Sequence, residues 1–362
     1  MSPRLVDYTS RNPEDLVEMF NFWGRVDAPS VGGKLYAELA FEIARDPELL
    51  SLAAERQGNQ PPPNMLFAAV QYLLLGGEQH ELSEHYPILA GEAEPKGAAF
   101  PKFRDFCLTH RDAIVRLVRT RWTQTCVLRR CVCLLPSFAR VFSATGQPLA
   151  LLEVGPSAGL NLLWDRYRYD YRGGPDWGDP GSELLLDTEK RGRTPLPELP
   201  DSIEVAWRMG VDLHPVDITD DDQVRWLRAL IFPEHVERHA QMAAAIRIGR
   251  AHPPQLVEGD AVERLPELLE QAPRDAALVV FATHTLYQFP REAVRSLLKT
   301  LVSHGEKRPL FFLTMEGTGS GCSELMMTHY VAGKRDTVKL ADCNPHGVWI
   351  EWAEIPALLP RH

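Results

Sequence analysis

With 362 residues, 44% of them hydrophobic and 24% charged, the chain has room for two domains but holds no apolar run of membrane-spanning length. A formal net charge of −10 argues against general nucleic-acid binding. The opening Met1-Ser-Pro-Arg-Leu-Val-Asp-Tyr8 has no signal-peptide apolar core, so a cytoplasmic location is expected.

From Pro13 to about Ser143 the pattern is helical. Asn12-Pro13-Glu14-Asp15 is a helix start, with a capping residue, proline at the first position and acids in the first turn. Leu16, Met19, Phe20 and Trp23 follow at helical spacing, and Leu35, Leu39 and Ile43 predict a second helix ending near Asp46-Pro47. Pro61-Pro62-Pro63 is a stiff break before an apolar helix from Met65 to Leu75, stopped by Gly76-Gly77. After a looser stretch from Glu92 to Pro101, a long helix or helix pair is expected from Phe103 to Phe142.

Between Pro101 and Arg140 nine lysines or arginines face two aspartates, a local balance of +7. This is either a solvated helical face or a surface for an acidic substrate or partner. Six cysteines include no C-x-x-C pair, and the His80-Glu-Leu-Ser-Glu-His85 histidines are five apart, off a common helix face; no metal site is expected.

Thr145-Gly-Gln-Pro148 marks the expected boundary between a helical region, 1–145, and an α/β domain, 146–362. Strands are expected at Leu149 to Val154, Ile203 to Val211, Gln255 to Glu258, Ala277 to Ala282 and Pro309 to Thr314. Thr337 to Ala341 and Gly347 to Trp352 flank Asp342-Cys-Asn-Pro-His346 as a hairpin. The Gly-, Pro- and charge-rich residues at about 173–200 read as an insertion positioned to cover the site.

The first strand carries the chemistry. Glu153-Val-Gly155-Pro156-Ser157-Ala-Gly159 is a strand-end acid followed by a glycine-controlled turn with unpaired N–H groups, as at the opening of a Rossmann-like nucleotide site. The same letters spell G-x-S-x-G, the nucleophile elbow of a serine hydrolase. The string alone does not choose. Position favours the nucleoside site, because everything before the turn is helical and later strand ends follow in nucleoside order. Gly210-Val-Asp212-Leu-His-Pro215 offers an acid for ribose hydroxyls, and Gly259-Asp260-Ala261 an acid facing adenine. Asn161 and Thr283 complete the expected cofactor-binding set. Beyond it lie Glu316 and Thr283-His-Thr-Leu-Tyr287; His284 is the first candidate base, because its ordinary pKa is near neutrality, with Tyr287 and Glu316 second.

At these residues the chain resembles a bacterial family catalogued as domain of unknown function 2332. The resemblance is carried by Glu153-Val-Gly-Pro-Ser-Ala-Gly-Leu-Asn-Leu-Leu-Trp-Asp-Arg-Tyr-Arg-Tyr-Asp-Tyr171, Gly210-Val-Asp-Leu-His-Pro-Val-Asp217, Val224 to Ile231 with Pro233-Glu-His235, and Gly259-Asp-Ala-Val-Glu-Arg-Leu-Pro266. Gln60-Pro-Pro-Pro-Asn64 and Thr123-Gln-Thr125 also match. It implies a Rossmann-like class I methyltransferase sheet with a helical N-terminal region, binding S-adenosylmethionine and acting on a small-molecule acceptor, without nucleic-acid or membrane partners. One departure stands out. Thr-Gln-Thr-Asn-Glu is expected where this chain has Thr123-Gln-Thr-Cys126-Val127, leaving Arg121 and Gln124 as polar contacts. A serine hydrolase using Ser157 and a non-catalytic nucleoside-binding protein are the alternatives.

Overall fold

A computed structural model describes residues 8–91 and 95–355. Two compact units divide the chain: residues up to Thr125 join Thr219–Met242, and Cys126–Ile218 join the residues from Ala243 onward. Helix Cys131–Thr145, grouped above with the helical region, falls in the second unit, and residues 219–242 fall in the first.

The first unit is helical. Its main helices are Pro13–Phe22, Lys34–Ile43, Pro47–Ala54, Pro62–Leu75, Ala99–Thr109, Arg111–Thr120 and Asp221–Ala229. The starts are written in the sequence: Asn12 accepts from the Glu14 amide, and Asp46 from those of Glu48 and Leu49. An aromatic stack forms the core. Phe67 lies 4.2 Å from Tyr36 and 5.1 Å from Trp23, both stacked, and Phe232 packs 5.4 Å from Trp23. Burying each such ring contributes about 1.5–3 kcal/mol. Gln71 fastens the returning segment, accepting from the Tyr36 hydroxyl and donating to the Ala229 carbonyl.

Four cations of the basic stretch pair with acids of the same unit. Lys102 pairs with Glu84, Arg104 with Asp46 and Glu48, Arg119 with Glu55, and Arg121 with Asp222. Arg121 also lies over the Tyr72 and Trp226 rings, so it belongs to the helical unit's own packing.

Among the described residues the second unit is built on one sheet of eleven strands: β1 (Leu149–Val154), β2 (Arg168–Arg172), β3 (Asp176–Trp177), β4 (Leu185–Arg191), β5 (Val205–Asp212), β6 (Gln255–Glu258), β7 (Ala277–Thr283), β8 (Leu310–Gly317), β9 (Ser323–Val331), β10 (Lys334–Cys343) and β11 (Trp349–Trp352). Their order is β3-β2-β4-β11-β10-β9-β8-β7-β1-β5-β6. The run β6-β5-β1-β7-β8 is wholly parallel, with β1 between β5 and β7. The chain steps outward from β1 first toward β6 and later toward β8, which makes the β1–β7 boundary a topological switch point.

Every residue of β1 is buried, as its unbroken apolar run requires. Ala150, Leu152 and Val154 join Val280 and Ala282 against Leu265, Leu269, Leu297 and Leu301 of helices Ala261–Gln271 and Arg291–Lys307. Elsewhere Phe138 of helix Cys131–Thr145 meets Phe281 and Trp164, with centroids 5.4 and 4.9 Å away.

Several features differ from the sequence reading: the expected helix or helix pair over Phe103–Phe142 is three helices interrupted at 121–127, and β2 is a strand absent from the predicted set. The segment at about 173–200 contributes β4 to the far half of the sheet, between β2 and β11, because alternating Leu186 and Thr188 bury one face. β9, absent from the predicted strands, returns antiparallel from β8 to β10. Among the described residues no helix is long and apolar enough to cross a membrane.

Asp46 both caps a helix and accepts from Arg104 Nε at 2.7 Å while nearly buried. Asp46→Ala is expected to lower the helical unit's unfolding free energy by about 1–2 kcal/mol in urea titration, with Asp46→Asn keeping much of the cap contribution.

Candidate functional site at the switch point

Beyond β1 the chain turns through Gly155, Ser157 and Gly159, all at positive φ (74°, 54° and 68°). The glycines are required by close packing. A Cβ on Gly155 would stand 2.4 Å from Thr285 Cγ2, and one on Gly159 would stand 2.8 Å from Pro254 Cγ and Leu256 Cδ2. Pro156 packs in turn over Gly210 of β5.

The open row of amide donors expected here is not what forms. Gly155 N–H donates to the Val211 carbonyl, Ser157 N–H to Asp212 Oδ2 and Gly159 N–H to the Pro156 carbonyl, each at 2.9 Å. The following segment, Leu160–Arg166, is a 3-10 helix of seven residues with a kink at Leu163, so there is no long α-helix dipole behind the turn.

Acids stand at the carboxyl ends of three adjacent strands. Glu153 is the penultimate residue of β1, Asp212 ends β5, and Asp260 follows β6 by two residues. Asp212, 8% exposed, accepts from the Ser157 and His214 amides, which hold its carboxylate at the turn. Beside it Leu213 is 57% exposed, an apolar surface at a strand end. Asp260 is exposed and caps helix Ala261–Gln271 through the Val262 amide, while Ala261 is buried.

Glu153 is 1% exposed. Asn161 Nδ2 donates to its Oε1 at 3.4 Å, and its Oε2 has no hydrogen-bond partner among the described residues. Burial dominates its titration and pushes its pKa up to about 8, with Asp212 adding to the rise and Asn161 and Arg130 opposing it. Cys126, one residue of the departure noted above, is buried beside this carboxyl group, and burial pushes its thiol up to about 12. It is an inert neighbour.

On the β7–β8 side, Thr283 is buried at the end of β7, and His284 follows at φ 52°. His284 Nε2 lies 2.8 Å from the Ser323 hydroxyl. Burial, reinforced by the charge of Arg130, lowers its pKa to about 3, so the near-neutral affinity that recommended it as a base is lost on folding. Glu316 Oε1 accepts from the Thr285 and Leu286 amides at 3.0 Å each, fixing the loop that carries the exposed Tyr287. Burial raises the Glu316 pKa against those hydrogen bonds.

Sequence reasoning missed Arg130. It is 9% exposed, donating from Nε to the Pro345 carbonyl at 3.0 Å and from Nη1 to the Thr283 carbonyl at 3.1 Å. Its place in a basic stretch, immediately before the apolar helix Cys131–Thr145, gave it the look of another solvated cation. Of the residues named instead, Arg121 and Gln124 fall in the helical unit.

Because folding raises the Glu153 pKa from 4.5 toward 8, the folded state holds a proton there that the unfolded state loses. The stability from this group is complete below pH 4.5 and falls as pH rises to 8, by up to about 1.4 kcal/mol per pH unit. Glu153→Gln, isosteric with the protonated acid, is expected to flatten the stability-pH profile between pH 5 and 8 relative to wild type. An unchanged difference in Tm between pH 5 and 8 would contradict this.

No curated protein and no solved structure matches the chain. A family model, described as an uncharacterised protein conserved in bacteria, matches residues 18–352. The chain therefore belongs to the domain of unknown function 2332 family.

Proposed function

We propose that this protein is a cytoplasmic S-adenosylmethionine-dependent methyltransferase acting on a small-molecule acceptor, its parallel strands forming a class I methyltransferase sheet. One observation carries the reading: Glu153, Asp212 and Asp260 lie at the carboxyl ends of β1, β5 and β6, adjacent parallel strands on one side of a switch point. A nucleoside spread across those ends would meet polar groups in the order ribose, then base.

The residues fit such a group. Asp212, oriented by two amides, suits a ribose diol, and exposed Leu213 next to it suits a purine face. Asp260 and the Ala261 amide would reach the adenine edge. Glu153, with its orphaned Oε2, and Asn161 would attend the amino acid portion beside Gly155, Pro156, Ser157 and Gly159, with Thr283 closing the β7 side. When bound, S-adenosylmethionine supplies a sulfonium methyl group open to in-line attack, and the protein's contribution is chiefly alignment. Glu153 holds its proton until a positive charge approaches, when ionisation would compensate that charge in a dry setting. His284 remains neutral and bonded to Ser323, a positioning group, while Glu316 sets the loop bearing Tyr287.

The hydrolase alternative has one feature in its favour, the left-handed backbone of Ser157. Against it, Ser157 is 4% exposed and is followed by 3-10 turns, where an elbow serine stands free at the start of a helix.

Calorimetric titration of the full chain with S-adenosylmethionine is expected to give micromolar binding, weakened tenfold or more by Asp212→Asn and much less by Asp260→Ser, which keeps the helix cap. No heat at millimolar ligand, or labelling of Ser157 by a fluorophosphonate, would overturn the reading.

A further inference from the structure

Arg130 is a buried cation without a counter-charge in contact among the described residues. A guanidinium has five N–H donors; one goes to Pro345 and one to Thr283, and the others have no partner among the described residues. Arg208, half-buried on β5, shows how this chain otherwise treats such a group, with a two-pronged pair to Asp165 at 2.6 and 2.9 Å. Leaving a buried charge uncompensated is costly, so an anion from outside is the natural complement.

No acid among the described residues is in ion-pair contact with Arg130, although Glu316 Oε2 is buried nearby and also without a hydrogen-bond partner there. Tyr287, Cys126, Glu316 and Glu153 are the groups whose charges reach Arg130. Glu153 and Cys126 are held in their neutral forms by burial, and one Glu316 oxygen is occupied by loop amides.

Location sets the occupant. The carbonyls that hold Arg130 belong to the end of β7 and to the turn between β10 and β11. Both lie on the opposite side of β1 from Asp212 and Asp260. The nucleoside is assigned to the β5–β6 side and the cofactor's amino acid portion to the end of β1 as far as Thr283, so we assign the side of Arg130 toward Tyr287 and the β7–β8 loops to the acceptor. Tyr287, 64% exposed and edge-on to His284 at 6.4 Å, offers that molecule a flat apolar wall.

We propose that Arg130 binds a carboxylate on the acceptor, so that the substrate is a small, flat molecule bearing one carboxylate. A carboxylate matches the planar edge of the guanidinium, and its single negative charge balances one arginine, whereas a phosphate dianion would call for further donors. The placement on the acceptor rests on the methyltransferase reading; the anion site itself does not.

The test uses benzoate and its neutral isostere benzamide as probes on the full chain, by calorimetry and by Tm shift. Wild type is expected to bind benzoate at least tenfold more tightly than benzamide, Arg130→Gln to abolish the preference, and Arg130→Lys to retain part of it. Equal binding of the two probes by wild type, or a preference surviving in Arg130→Gln, would overturn the site. The wild-type comparison and Arg130→Lys decide the matter should Arg130→Gln not fold. S-adenosylmethionine affinity is expected to stay within threefold in Arg130→Lys; a tenfold loss would move Arg130 to the cofactor and overturn the acceptor assignment. Benzoate preference in a wild type that binds no S-adenosylmethionine would overturn the methyltransferase reading alone and support the anion site.

Discussion

Burial of β1 between β5 and β7 is the constraint on which the second unit depends. A strand buried on both faces must carry an apolar run, and Leu149 to Leu152 with Val154 supply it. Glu153 interrupts that run where the sheet changes direction of growth. Burial of a carboxyl group there, with the charge of Asp212 adding to it and Asn161 and Arg130 opposing, keeps its proton into the neutral range. The same position that makes Glu153 expensive to ionise makes it responsive to a cation arriving at the strand end.

The turn after β1 shows how packing and function share one sequence. Gly155 and Gly159 invite a ligand-cradle interpretation, yet Thr285 stands against the first, and Pro254 and Leu256 against the second. Their work is to let three loops converge. Asp212 then joins two of those loops by accepting from Ser157. The features that suit a nucleoside are therefore the acids and the strand order that lines them up, not the glycines.

Much of this was legible in the residues. The parallel strands and the β10–β11 hairpin follow from apolar runs bounded by turn residues, and the first helix start follows from Asn12, whereas Asp46-Pro47, read as a helix end, also opens the helix Pro47–Ala54. What escaped depended on distant partners. β4 is polar at Asp187, Glu189 and Lys190, and only pairing with β2 and β11 makes it a strand. β9 alternates buried and half-buried side chains but lacks a compact apolar run. His284 looked like a neutral-pH base because nothing local reveals that folding buries its ring, with Arg130, far earlier in the chain, near it. Arg130 was hidden for the converse reason: its basic neighbours Arg104, Arg119 and Arg121 do find acids, and only the fold shows that it does not.

The most direct test is a crystal structure of the full chain grown with S-adenosylhomocysteine. The account places the ribose hydroxyls within hydrogen-bond distance of Asp212 and the adenine between Leu213 and Asp260, with the amino acid portion toward Glu153. Nucleoside density elsewhere, or strand ends of β1, β5 and β6 unchanged and empty at saturating ligand, would contradict it.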